Sequence, residues 1–248
     1  MDKVLVVTGG SRGIGAATSI LAGKSGYAVA VNYHRDAAAA SAVVASIEKA
    51  GGKAVAIQGD IAREADVERL FAETDARLGR VTHLVNNAGI TGRGQRLDAI
   101  DGTALKAVFD LNILGAFLCV REAVRRMSTA HGGKGGVIVN LSSAAATLGS
   151  PGEFVWYAAS KGAIDTLTIG LSKEVAGEGI RVNAVAPGLI QTDIHAASGE
   201  PGRVDRLTPL VPVGRVGTAE EVAESILFLL SEHAAYITGA ILRISGGR

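Results

Sequence analysis

Short β-branched runs alternate with helix-length segments along nearly the whole chain, and this alternation restricts the fold more than any other feature. The runs expected as strands are 4–7, 28–32, 54–58, 84–86, 137–141, 182–185 and 240–244. Helical periodicity covers 14–24, 37–50, 64–78, 103–127, 154–175 and 219–230 between them. Glycines mark the breaks. Gly26 closes the first helix, Gly51 and Gly52 the second, and Gly115 is placed to kink the 103–127 helix. A repeated β-α order gives a mostly parallel sheet with helices on both faces. The expected fold class is α/β: a single doubly wound domain over 1–248, with a seven-stranded, mostly parallel sheet.

Composition agrees. Hydrophobic residues make up 48% and glycines number 33, while aromatics reach only 4%. Alanine favours helices and glycine supplies turns, which suits this layout better than a β-sandwich. A net charge of +1 with no basic run offers no field for nucleic acid or an anionic membrane, and neither is expected as a partner. Cys119 is the sole cysteine, so no intrachain disulfide forms, and its apolar neighbours predict a core residue. No signal-peptide pattern occurs at the N-terminus, and no apolar stretch is read as reaching the roughly 20 residues a bilayer needs. A cytoplasmic location is expected. No metal site is expected. The long irregular segment 189–217, with Pro201, Pro209 and Pro212, reads as a substrate lid.

Two constellations carry chemistry. The turn Thr8–Gly15 follows the first apolar run and reads G-x-x-x-G-x-G through Gly9, Gly13 and Gly15. Such glycines let backbone approach a pyrophosphate at a helix N-terminus. Tyr157 and Lys161 are four residues apart, hence on one helical face. A phenol has a pKa of about 10, so a base acting near neutrality needs a fall of roughly 3 units. An ammonium one turn away favours the phenolate. Ser143 follows the fifth strand and is placed to hydrogen-bond a substrate oxygen. Ser142 points the other way along an extended backbone.

Together these segments resemble the short-chain dehydrogenase/reductase family over nearly the whole length. The matching pieces are Thr8–Gly15, Asp60-Ile61, Asn86-Asn87-Ala88-Gly89, Asn112, Ser142-Ser143, Tyr157 with Lys161, and Pro187-Gly188 with Thr192. The resemblance implies a Rossmann-type domain that moves a hydride between a nicotinamide and an alcohol or carbonyl substrate. It assigns Tyr157 as acid/base, Lys161 as its tuner and a ribose ligand, Ser143 as substrate-oxygen ligand, and Asn112 as holder of a relay water.

The resemblance also maps the cofactor. Gly9, Ser11, Arg12, Gly13, Ile14 and Gly15 form the phosphate cradle. Asp60 meets the adenine amino group beside Ile61, while Asn87, Ala88 and Gly89 pass the ribose. Pro187, Gly188, Ile190 and Thr192 flank the nicotinamide. The residue ending strand two selects the cofactor, and here Tyr33, His34 and Arg35 precede the first carboxylate at Asp36. With no acid to repel a 2′-phosphate, and Arg12 and Arg35 to grip it, NADP(H) is expected over NAD(H), which stays possible. Taken alone, Asp60 also reads as a helix N-cap.

Trp156, Phe154, Pro151, Val155 and His195 are expected near the substrate. The chain is similar to 3-oxoacyl carrier-protein reductases and bacterial glucose 1-dehydrogenases. Glu178, however, stands where carrier-binding members often have a basic residue. Family members are commonly tetramers, so a homotetramer or dimer is expected through the 103–127 and 154–175 helices and strand 240–244. The rival from another class is a cofactor-binding regulator or scaffold without catalysis; intact Asn112, Ser143, Tyr157 and Lys161 argue against it.

Overall fold

The computed structural model describes residues 3–192, 199 and 202–248. Seven strands form one sheet: β1 (Val4–Val7), β2 (Ala28–Tyr33), β3 (Lys53–Gln58), β4 (His83–Asn86), β5 (Gly136–Leu141), β6 (Ile180–Pro187) and β7 (Ile241–Ile244). Their order is β3-β2-β1-β4-β5-β6-β7, and every neighbouring pair is parallel. The order reverses between β1 and β4. A crevice opens beyond the strand ends at such a switch point, and ligands of open α/β sheets bind there.

Side-chain alternation builds the two layers. Leu5, Val7, Val29 and Val31 face α1 (Gly13–Lys24), α2 (Ala37–Lys49) and a late helix at Ala219–Leu230. Val4, Val6, Ile138 and Val182 face α3 (Glu64–Leu78) and the helices after β4 and β5. Glycine permits close packing within a layer: a Cβ on Gly23 would stand 2.4 Å from Ile47 Cγ2, so α1 and α2 meet almost backbone to side chain. Cys119 is fully buried, and burial pushes its thiol pKa well up, as expected of a core residue.

The expected 103–127 helix is divided. It comprises α4 (Gly102–Phe109), a π-helical turn at Asp110–Gly115 and α5 (Ala116–Met127). The cause lies around Asn112 rather than in glycine flexibility. Asn112 Oδ1 accepts from Ile90 N at 2.9 Å, and Nδ2 donates to Ile90 O at 2.8 Å and Ser160 Oγ at 3.0 Å. Gly115 permits the contact beneath: a Cβ there would lie 2.8 Å from Ile61 O. Single π-turns of this kind concentrate at functional sites. The whole run, Gly102–Met127, spans 26 residues at hydropathy 1.6, long and apolar enough by composition to cross a membrane, which corrects the reading that no stretch is. Its inner side packs on the sheet through Leu118, Val120 and Ala123.

After β5 come a short helix, α6 (Ala145–Leu148), and the long α7 (Val155–Val175). Segment 189–217 is not wholly irregular, since it contains α8 (Arg203–Leu207) and a 3₁₀ turn at Thr208–Leu210. His195 and Pro201 lie outside the described residues. The last helix, α9 (Ala219–Leu230), starts in a capping box: Thr218 Oγ1 accepts from Glu221 N at 3.2 Å, and Glu221 Oε2 accepts from Thr218 N at 2.9 Å.

Candidate active site

Val7 stands level with Val31 of β2 and Val85 of β4, so three segments leave the sheet together at the crevice. The glycine turn is held from both sides. Thr8 Oγ1 accepts from the Asn87 and Ala88 N–H groups at 2.9 and 3.0 Å, and Asn87 Nδ2 donates to the Thr8 and Gly9 carbonyls at 2.8 and 3.1 Å. Asn32 Oδ1 accepts from Gly9 N at 3.2 Å, while Asn32 Nδ2 donates to Gly59 O at 3.1 Å. Asn32 was not singled out in the sequence. Its signal is a lone amide in an otherwise apolar strand.

Gly9 and Gly13 have φ of 59° and 53°, the left-handed region. Gly15 serves closeness instead: a Cβ there would stand 2.3 Å from Gly9 O and 2.6 Å from Asn87 Nδ2. Arg12 provides no side-chain cap to α1, so its first N–H groups are left for an anion or water. This cradle, with left-handed glycines at 9 and 13 and an uncapped helix start, fits the pyrophosphate of a dinucleotide.

A cavity of about 1330 Å³ runs from this turn to α7. Every residue expected at the cofactor site lines it except Gly15, which lies behind the turn. Tyr33, His34 and Arg35 flank one end, where His34 Nε2 comes within 3.9 Å of Asp60 Oδ2. Asp60 is not a helix N-cap. Its Oδ1 accepts from Ala62 N at 3.0 Å in a local turn, and α3 begins only at Glu64. At the other end, Thr192 packs beside Gly13, and Gln191 N donates to Gly217 O at 2.9 Å. Gly188 passes so near the strand end that a Cβ would meet Ser245 Cβ at 2.7 Å.

Ser143 and Tyr157 line the same cavity, and the Ser143 hydroxyl acts to lower the phenol pKa. Ser143 Oγ accepts from Ala145 N at 3.1 Å. Ser142 turns away, is buried and donates to Lys161 O at 3.4 Å. Burial dominates at Tyr157 and raises its pKa above the ordinary phenol value, against Ser143 and the Arg203 charge. Lys161 Nζ donates to Leu141 O at 2.6 Å and lies 5.7 Å from the Tyr157 ring centroid. Burial lowers its pKa to about 8, with Asp165 opposing. The expected depression of the phenol pKa is therefore not supplied by the protein groups around it. Asn112 does not line the cavity; it is buried behind it, joined to Ser160, whose Oγ donates to Tyr157 O at 2.7 Å.

A strand-turn-helix cradle at the β1/β4 switch point, with this tyrosine, lysine and serine around one cavity, agrees with the family match. A family profile described as enoyl-(acyl carrier protein) reductase covers residues 9–248. The chain belongs to the short-chain dehydrogenase/reductase family.

It is accordingly an oxidoreductase, in a family that uses NAD(P). It is 52% identical over 245 residues to the Escherichia coli (strain K12) "uncharacterized oxidoreductase YgfF", covering 99% of each chain. It superimposes with a TM-score of 0.91 and 31% identity on a 3-ketoacyl-(acyl-carrier-protein) reductase from Brucella melitensis complexed with NADH, covering 99% of this chain and 98% of that one. A short chain dehydrogenase from Burkholderia cenocepacia J2315 in complex with NADP matches with a TM-score of 0.90 and 34% identity, over 99% and 97%.

Within this dehydrogenase/reductase fold, the expected substrate walls need correction. Phe154 and Pro151 line the cavity, whereas Trp156 and Val155 do not. Trp156 is buried with Val108 and Phe154, and its Nε1 donates to Thr91 O at 2.7 Å, so its large ring anchors α7. Residues missed in the sequence are Glu153 and Arg203, 50 positions apart, which meet at 2.7 Å on the cavity wall. Only the fold brings them together.

Proposed function

We propose that the chain is an NADP(H)-dependent oxidoreductase interconverting a secondary alcohol and a ketone or aldehyde. The observation that carries this reading is that Ser143, Tyr157 and buried Lys161 line the same cavity as the glycine turn. NADP(H), when bound, supplies or accepts the hydride. The turn N–H groups of Gly13–Gly15 hold the pyrophosphate, and Arg12 and Arg35 take the 2′-phosphate. Asp60 and Ile61 meet the adenine. Asn87, Ala88 and Gly89 pass the ribose, which Lys161 also binds. The Ile190 backbone and Thr192 hydroxyl hold the carboxamide beside Pro187 and Gly188.

In the reducing direction, the Tyr157 hydroxyl gives its proton to the carbonyl oxygen as the carbon gains hydride. Ser143 donates to the same oxygen and stabilises its developing charge. Burial disfavours the phenolate, and Lys161 together with the positive charge of an oxidised nicotinamide would oppose it. Asn112, with its amide spent on Ile90 and Ser160, fixes the wall beside Gly89, where a water would relay protons to Lys161. Segment 189–217 acts as the substrate lid.

A 3-oxoacyl thioester is the second reading, favoured by the name of the Brucella relative. Glu178, engaged by the Ser128 hydroxyl, speaks against an acidic carrier protein. A homotetramer or dimer is favoured by exposed Leu114, Phe117 and Ile169 on the outer helices and by Leu242 on the edge strand β7. The test is a screen of NADPH oxidation and NADP reduction over ketones, acyl thioesters, sugars and steroids, with dissociation constants for both cofactors. Turnover with at least one carbonyl, and tighter NADPH than NADH, is expected. Cofactor binding with no turnover refutes the reaction, and tighter NADH refutes the selectivity.

A further inference from the structure

Among the described residues, two guanidiniums at the substrate end of the cavity keep donors to spare. Arg93, on the loop after β4, is exposed, lines the cavity and has no ion-pair partner among the described residues. Arg203, on α8, has a side chain only 15% exposed. Its Nε and Nη2 reach Glu153 Oε2 at 3.2 and 2.7 Å, and its Cζ lies 5.2 Å from the Phe154 ring centroid. Nη1 of Arg203 makes no hydrogen bond among the described residues. Glu153 is shared, since its Oε1 also accepts from Arg206 Nη2 at 2.7 Å. Glu153 thus serves both guanidiniums, and Arg93 lines the same cavity.

Among the described residues that line the cavity, the other acid on this side is already paired: Asp110 binds Lys106 at 2.5 Å. The remaining acids of the wall, Asp36 and Asp60, belong to the cofactor end. A largely desolvated guanidinium, fixed by an ion pair and stacked on an aromatic ring, is organised to receive an anion through its spare donor. Phe154, on whose ring Arg203 packs, immediately precedes α7, three residues before Tyr157. The Arg203 charge reaches the Tyr157 hydroxyl, where it favours the phenolate.

We propose that the carbonyl substrate carries an oxyanion group, a carboxylate or a phosphate, which the Arg93 and Arg203 guanidiniums receive while Ser143 and Tyr157 meet the carbonyl oxygen. This rests on the proposed carbonyl reduction and names its substrate class. A neutral ketone of equal size makes the same contacts at the reacting oxygen but leaves both arginines unanswered. Charge-assisted hydrogen bonds of this kind are worth about tenfold or more in kcat/KM.

The experiment compares matched pairs with NADPH: acetoacetate against methyl acetoacetate, and dihydroxyacetone phosphate against dihydroxyacetone. In at least one pair, kcat/KM of the anion exceeds that of its neutral partner by about tenfold, and added salt erodes the preference. The pair that responds tells carboxylate from phosphate. Arg93→Gln and Arg203→Gln each reduce the ratio, which cancels general damage to the enzyme. Glu153→Gln, which removes the competing carboxylate, raises it. Turnover with ratios near one, or ratios indifferent to both arginines, overturns the inference and leaves carbonyl reduction standing. Turnover of neither pair, nor of any carbonyl in the wider screen, overturns both.

Discussion

Gly15→Ala tests whether the cradle depends on backbone contact rather than on a flexible loop. The added Cβ would lie 2.3 Å from Gly9 O and 2.6 Å from Asn87 Nδ2. Against ordinary contact distances this is an overlap of roughly 1 Å. The obstacle cannot swing aside, because Gly9 O is fixed by Asn87 Nδ2 at 3.1 Å and Gly9 N by Asn32 at 3.2 Å. Either the turn opens or α1 slides. Overpacking of this kind costs about 1–3 kcal/mol, and loss of the Asn87 bond adds about 1 kcal/mol. Since about 1.4 kcal/mol is tenfold in affinity, cofactor binding weakens about five- to thirtyfold if half of that strain falls on the bound turn. Gly13→Ala makes the comparison. Its Cβ meets Thr192 Cγ2 at an ordinary 3.5 Å, leaving only the strain of φ 53°, about 1–2 kcal/mol. Urea midpoints and fluorescence titration with NADPH measure both variants. Gly15→Ala should be the worse in both assays. Native-like binding by Gly15→Ala, or the reverse order, refutes the reasoning.

Three further outcomes follow. His83 is buried with its pKa lowered to about 3 by desolvation and by nearby Lys3 and Arg181, well below the ordinary 6.5. The unfolded chain thus binds the extra proton first as pH falls, so stability is full above about pH 6.5 and drains toward pH 3, by about 3 kcal/mol at pH 4; His83→Phe should show a shallower loss in urea titrations between pH 7 and pH 4. Asn112→Ala leaves the buried backbone of Ile90 without side-chain partners and should lower the urea-derived stability by about 2–3 kcal/mol; a loss below about 0.5 kcal/mol would show that the π-turn does not depend on this amide. Light scattering at micromolar concentration should give the mass of a tetramer or dimer, and a monomer mass would remove the proposed oligomer.

The parallel α/β order was legible because strand and helix periods differ and glycines separate them. Leu5 and Val7 opposite Val4 and Val6 show the period-two signal turned into two cores. The grouping of the expected cofactor residues around one cavity was legible because each lies in a short local motif at a strand end. What escaped was non-local. The break at Asp110–Gly115 depends on Asn112 finding Ile90 and Ser160, 22 and 48 positions away. Trp156 looked like a pocket wall because it neighbours Tyr157, yet helical rotation turns it onto Thr91 and Val108. The Arg203–Glu153 pair had no sequence signal, since each is an ordinary surface-type charge until the fold joins them. The Tyr157 titration was misjudged for a related reason: spacing reveals the lysine but not the depth of burial, which governs the phenol.

The most direct test of the central claim is Tyr157→Phe, assayed for NADPH-dependent reduction of a carbonyl that the native enzyme turns over. Phenylalanine keeps the ring and its packing but removes the only proton the mechanism donates at that atom. Turnover should fall about 10²–10⁴-fold, while the NADPH dissociation constant stays within about threefold, less than the 1.4 kcal/mol of a tenfold change. Turnover near the native rate, with NADPH still bound, would contradict the assignment of Tyr157 as the acid/base.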